Sequence, residues 1–174
     1  MRICGLMNAG ARAVREVCPN ALIAVHFANP EQTANYETYG KQLNEYGVDY
    51  DVFSSSYYPF WHGTLDNLAE VLNNITAKYG KKVMVAETSY AFTATDTDFY
   101  SNTLGSDNNT ENMYPFTQQG QADLVRDVMD TVVNKMDDGI GVFYWEGTWI
   151  AAGGTSFVAN QTLWEQNGSG WATS

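Results

Sequence analysis

Lys82-Val83-Met84-Val85-Ala86-Glu87 decides the fold. Val83 to Ala86 are all apolar, the run begins just past a Gly80 stop, and it ends directly on a carboxylate. An unbroken apolar run of this length, flanked by turn residues, reads as a strand covered on both faces, the habit of parallel sheets. Upstream, residues 64–72 carry Leu65, Leu68 and Leu72 on one helical face, and the helix runs on to Gly80. Further out the alternation repeats. Ala21-Leu22-Ile23-Ala24-Val25-His26-Phe27 is a strand between Pro19-Asn20 and Asn29-Pro30, residues 31–46 form a helix closed by Gly47, and residues 50–57 form the next strand. A helix over residues 9–17 stops before Pro19, and residues 1–8 read as part of a helix as well. Downstream, a long polar loop from residue 93 to about 115 leads to a helix over 119–136 and a strand over 139–145.

Strand starts at residues 21, 50 and 82 lie about 30 residues apart, the size of one βα unit, and the start at 139 is delayed by the polar loop. The class is therefore α/β, with a parallel sheet and right-handed crossovers. Two architectures fit, an open doubly wound sheet and part of a parallel (β/α)8 TIM barrel. A whole barrel takes roughly 250 residues, so about four βα units make half of one. No Gly-rich phosphate turn follows a strand, which disfavours the nucleotide-binding open sheet.

Nine Lys and Arg face 20 Asp and Glu in 174 residues, a formal charge of −11, and this disfavours nucleic acid and anionic membrane surfaces as partners. The longest apolar runs fall far short of the roughly 18 residues a membrane helix needs, so no membrane span is expected. The N-terminal apolar run is broken at Gly5 and Asn8 and does not form a signal peptide. Two cysteines are too few for a disulfide framework, and Cys4 and Cys18 read as small buried hydrophobes. The 14% of aromatic residues, with five Trp and 11 Tyr, is high and directs attention to planar or sugar ligands.

In parallel α/β folds the reactive residues gather at the C-terminal ends of strands. Those ends here offer His26, then Tyr57, Tyr58, Trp61 and His62, then Glu87, then Trp145 and Glu146. Carboxylates beside hydroxyls and flat rings suit sugar chemistry, because the carboxylate does covalent or acid/base work and the rings cover pyranose faces. Each residue has a plainer reading: a satisfied histidine for His26, core for Trp145, a rim carboxylate on water or sugar hydroxyls for Glu146. Glu87 is the most informative, since a carboxylate directly after four apolar residues is costly unless it faces a polar site.

Asp51-Val52-Phe53-Ser54-Ser55-Ser56-Tyr57-Tyr58-Pro59-Phe60-Trp61-His62-Gly63-Thr64-Leu65, then Gly80 to Tyr90, then Gly141-Val142-Phe143-Tyr144-Trp145-Glu146, together with Tyr114-Pro115 and Gln119-Gly120-Gln121-Ala122, resemble glycoside hydrolase family 53, the endo-β-1,4-galactanases. The resemblance runs over essentially the whole chain. It implies a (β/α)8 barrel of which strands five to eight are present, so that residues 1–174 are the C-terminal part of one glycosidase catalytic domain with no second domain. It also implies a retaining double displacement on galactan or arabinogalactan side chains, with Glu87 as the strand-seven nucleophile. The acid/base of the family sits in a strand-ending Asn-Glu pair. The only such pair here, Asn44-Glu45, falls late in a helix, so the acid/base is expected to be absent from this chain.

By the same resemblance, one of Tyr57 or Tyr58 hydrogen-bonds the nucleophile, Trp145 forms the floor beneath the sugar, and His26, Trp61 and His62 line neighbouring subsites. Period two along a strand puts Tyr57 and Tyr58 on opposite faces, so only one points inward, and sequence does not choose between them. No cofactor is required. A structural calcium at Asp98 and Asn102 is one reading of the polar loop, solvation of an Asp/Asn-rich loop the other. The alternative function is a non-catalytic galactan-binding remnant. Family membership implies an extracellular location, and open barrel edges imply self-association.

Overall fold

The computed structural model describes residues 2–93, 114–145 and 147. Along them run α1 (Arg2–Val17), β1 (Ala24–Phe27), α2 (Thr33–Glu45), β2 (Val52–Ser56), α3 (Leu65–Tyr79), β3 (Lys82–Thr88), α4 (Gln118–Asn134) and β4 (Gly139–Tyr144). The strands form one sheet in the order β1-β2-β3-β4, and every neighbouring pair is parallel. Strand order equal to chain order, with a helix in each crossover, is how successive units of a (β/α) barrel are wound.

Local chemistry accounts for the element ends. Thr64 caps α3 by accepting from the Asn67 amide, and Gly80, at φ 62°, closes it in the left-handed region that favours glycine. Thr117 caps α4 in the same way, accepting from the Gly120 amide. Gly120 lies so close to Pro115 that a Cβ there would collide with the Pro115 carbonyl, which ties the start of α4 to the preceding turn.

Register separates two faces of the sheet. Val25, Phe53, Val83 and Val85 share the face that packs on Tyr36 and Leu43 of α2, Leu68, Leu72 and Ile75 of α3, and Leu124, Val128 and Val132 of α4. This is the core. Ser55 faces the same way, its hydroxyl 2.6 Å from that of Tyr36, so the one polar side chain among these strand residues is satisfied where it is buried. Ala24, His26, Val52, Ser54 and Met84 share the opposite face, where a closed barrel would have its interior.

Some expectations need correction. The run 21–27 pairs as a strand only from Ala24, because the Ile23 carbonyl is taken by the Asp51 and Val52 amides and the Ile23 amide donates to the Asp51 carboxylate. β1 is not covered on both faces: Ala24 and His26 are exposed. Cys4 is buried, but Cys18 is exposed just past the end of α1. At the N-terminal end of the sheet, Arg15 of α1 bridges Asp49 and Asp51 at 3.0 and 2.8 Å; it holds the Asp49 carboxyl below its usual range, and the Ile23 amide together with Arg15 does the same for Asp51. That network ties α1 to the sheet at the end opposite Glu87.

Candidate active site

Strict alternation would waste Glu87. Counting from Met84 on the inner face, a regular strand puts Ala86 inside and Glu87 among the helices. Instead the register slips: Ser55 pairs with Val85, but Ser56 pairs with Glu87. Ala86 is the extra residue of a bulge, and the slip turns Glu87 onto the inner face with Ser56. Re-aiming a side chain is the recognised use of such bulges. On the other side of β3, Thr88 pairs with Tyr144, and the Trp145 amide donates to the Thr88 carbonyl at 2.8 Å, which sets Trp145 beside the end of the same strand.

The segment after β2 supplies the partner of this carboxylate. The Tyr57 amide donates to the Glu87 carbonyl at 2.8 Å and fixes the two strand ends side by side. The Tyr58 hydroxyl donates to Glu87 Oε1 at 2.6 Å, the length of a charge-assisted O–H···O bond. Tyr57 turns the other way: fully buried, its hydroxyl donates to the Gly63 carbonyl, and burial pushes its pKa up. Tyr57 therefore lines no sugar-facing surface, because its ring fills the core and its hydroxyl is committed to backbone.

Trp61 and Trp145 are 42% and 41% exposed, rings large enough to stack on a sugar and accessible enough to do so. Trp61 leans on Phe60, whose ring stacks on Tyr90 at 5.1 Å, and Tyr90 packs in turn on Phe116. This aromatic column was not foreseen from the sequence, although Phe60 and Tyr90 stand within the stretches that carry the resemblance. His26 is exposed on the inner face with Nε2 2.8 Å from Ser56 Oγ, which places it next to Glu87 through the Ser56 pairing.

His62 does not present itself to a ligand. It is 5% exposed, and its Nδ1 accepts from the Tyr58 amide at 3.1 Å. Burial pushes its pKa below the ordinary imidazole value, while Glu31, Glu87 and the Ser56 carbonyl pull the other way. A folded pKa below the unfolded one means that as pH falls below about 6.5 the unfolded chain takes up this proton first, so the contribution of His62 to stability is present above that range and lost on acidification.

Glu146, Asp98 and Asn102 lie outside the described residues. Among the described residues no three His, Cys, Asp or Glu side chains cluster to hold a metal ion; within the described strands Glu87 is the only carboxylate, and Glu31, exposed in the loop after β1, is a second one near His62 at the same end of the sheet. Glu45 ends α2 and pairs with Lys41 at 3.7 Å; since a crossover helix runs back against its strands, it sits at the other end of the sheet from Glu87.

A carboxylate aimed from a strand end, held by a tyrosine and flanked by exposed indoles on a parallel βα sheet, belongs with the barrel glycoside hydrolases. The profile of glycosyl hydrolase family 53 matches residues 1–173, and the chain belongs to that family. It is 53% identical over 174 residues to an endo-β-1,4-galactanase of Bacillus subtilis strain 168, covering 99% of this chain and 40% of that protein. It is 33% identical over 172 residues to an arabinogalactan endo-β-1,4-galactanase of Cellvibrio japonicus, covering 95% of this chain and 42% of that protein. In three dimensions it matches the GH53 catalytic domain of Ignisphaera aggregans with a TM-score of 0.80 and 36% identity, over 88% of this chain and 43% of that one. The chain thus spans about two-fifths of the length of these relatives.

Proposed function

We propose that this chain carries the nucleophile of a retaining endo-β-1,4-galactanase and that the general acid/base lies outside its 174 residues. The observation that carries the reading is the bulge at Ala86, which turns Glu87 to the inner face and into the hydrogen bond from Tyr58. In the first displacement a Glu87 oxygen bonds to the anomeric carbon, and the bond from that carbon to the leaving sugar oxygen breaks. That oxygen takes a proton from the acid/base, whose carboxyl must stand about 5–5.5 Å from the nucleophile. Water, deprotonated by the same group, then cleaves the glycosyl ester. Tyr58 keeps the attacking carboxylate oriented, while Trp61 and Trp145 offer stacking faces to the galactose units.

Four strands, and coverage of two-fifths of the relatives, support the division of labour between this chain and residues beyond it. The test is release of reducing ends from β-1,4-galactan, by this chain alone and with a polypeptide supplying the first half of a family 53 barrel. Loss of general acid/base catalysis is expected to leave the chain alone about 10²–10⁴-fold slower than the complemented pair. Equal rates would refute the division. Binding of galactan without cleavage, even in the complemented pair, would favour the non-catalytic reading.

A further inference from the structure

We propose that His62 is a positioning residue and not a sugar ligand: its ring, accepting at Nδ1 from the Tyr58 amide, holds the turn over residues 57–62 so that the Tyr58 hydroxyl stays on Glu87. The inference rests on the reading of Glu87 as nucleophile but makes a separate claim about what His62 does.

Four observations carry it. An imidazole nitrogen that accepts from a backbone amide has no proton of its own, so the neutral ring carries its proton on Nε2. The same two residues are joined again through backbone, the His62 amide donating to the Tyr58 carbonyl at 2.9 Å and the Trp61 amide to the same oxygen at 3.1 Å. The ring also packs edge-on against both functional neighbours, with centroids 5.7 Å from Tyr58 and 6.3 Å from Trp61. At 5% exposure little of the ring is left for a sugar to touch. His62 therefore acts on the turn just past the end of β2, and through Tyr58 it reaches Glu87.

Two substitutions separate the roles, because Asn places its amide where Nδ1 stands and Gln places its amide where Nε2 stands. Hydrogen exchange of the Tyr58 amide in the full 174-residue chain reads the strut directly, without any catalysis. His62→Asn is expected to leave that exchange within about threefold of the parent, and His62→Gln to speed it at least tenfold. The second readout is the rate at which Glu87 is labelled by dinitrophenyl 2-fluoro-β-galactobioside. It should follow the same order, and in a Tyr58→Phe background His62→Gln should cost nothing further, because its effect passes through the Tyr58 hydroxyl. Slow labelling in His62→Asn with full labelling in His62→Gln would place the role on Nε2–H and overturn the proposal, as would unchanged Tyr58 exchange in both variants. A parent chain that is not labelled at all would sink the nucleophile reading, while the exchange measurement would still decide the role of His62.

Discussion

Replacing Glu87 by Gln in a galactanase containing these residues is expected to lower turnover by at least about 10⁴-fold, because an amide cannot form the glycosyl ester on which double displacement depends. Folding should change little. Glu87 is half-buried at a strand end, and Gln keeps its length and an oxygen that accepts from the Tyr58 hydroxyl, so the bulge and its neighbours have no reason to rearrange. The measurement is the initial rate on β-1,4-galactan beside a thermal melt of both proteins. A tenfold loss or less would mean that another group attacks the sugar. A melt lowered by many degrees would mean that Glu87 is chiefly structural.

The second large effect is on stability. Phe53 is fully buried at the centre of the helix-facing side of the sheet, with ring centroids 4.9 Å from Phe27 and 5.6 Å from Tyr36. Phe53→Ala removes the ring, leaves a cavity that three elements would have to collapse to fill, and should cost about 3–5 kcal/mol. Set against a typical total of roughly 5–15 kcal/mol, that is enough to leave much of the population unfolded near body temperature. Chemical denaturation of the two proteins measures it, and a loss under about 1 kcal/mol would show that the Phe27, Tyr36 and Phe53 cluster is not the core of this sheet.

The order of elements was legible because parallel strands in an α/β layer are written as apolar runs separated by amphipathic helices, and Gly80 and Thr64 end and begin α3 in the expected way. The bounds of β1 were not legible, since they depend on a contact between Ile23 and Asp51, which are far apart in sequence. The importance of Glu87 could be read from the cost of placing a carboxylate after Val83 to Ala86. Its direction could not, because a strict period of two points it at the helices and no Gly or Pro marks Ala86 as the site of a bulge. The same period separated Tyr57 from Tyr58 without saying which faces inward; that choice rests on the hydroxyl of one reaching Glu87 and the hydroxyl of the other reaching Gly63. His62 reads as a rim ligand because it follows a strand end within the stretch that carries the resemblance, and its real partner is a backbone amide, which side-chain chemistry does not advertise.

The central claim is that Glu87 is a nucleophile already in place in this chain and that its partner acid is supplied from outside it. Dinitrophenolate leaves without protonation, so an activated galactobioside with fluorine at C2 bypasses the acid/base: the Glu87 oxygen bonds to the anomeric carbon, dinitrophenolate departs with the electron pair, and the fluorine slows hydrolysis of the ester. Mass spectrometry of the 174-residue chain after this treatment should show one added fluoro-galactobiosyl group, located on the peptide containing Glu87 and missing from Glu87→Gln. A label on any other residue, or equal labelling of Glu87→Gln, would contradict it.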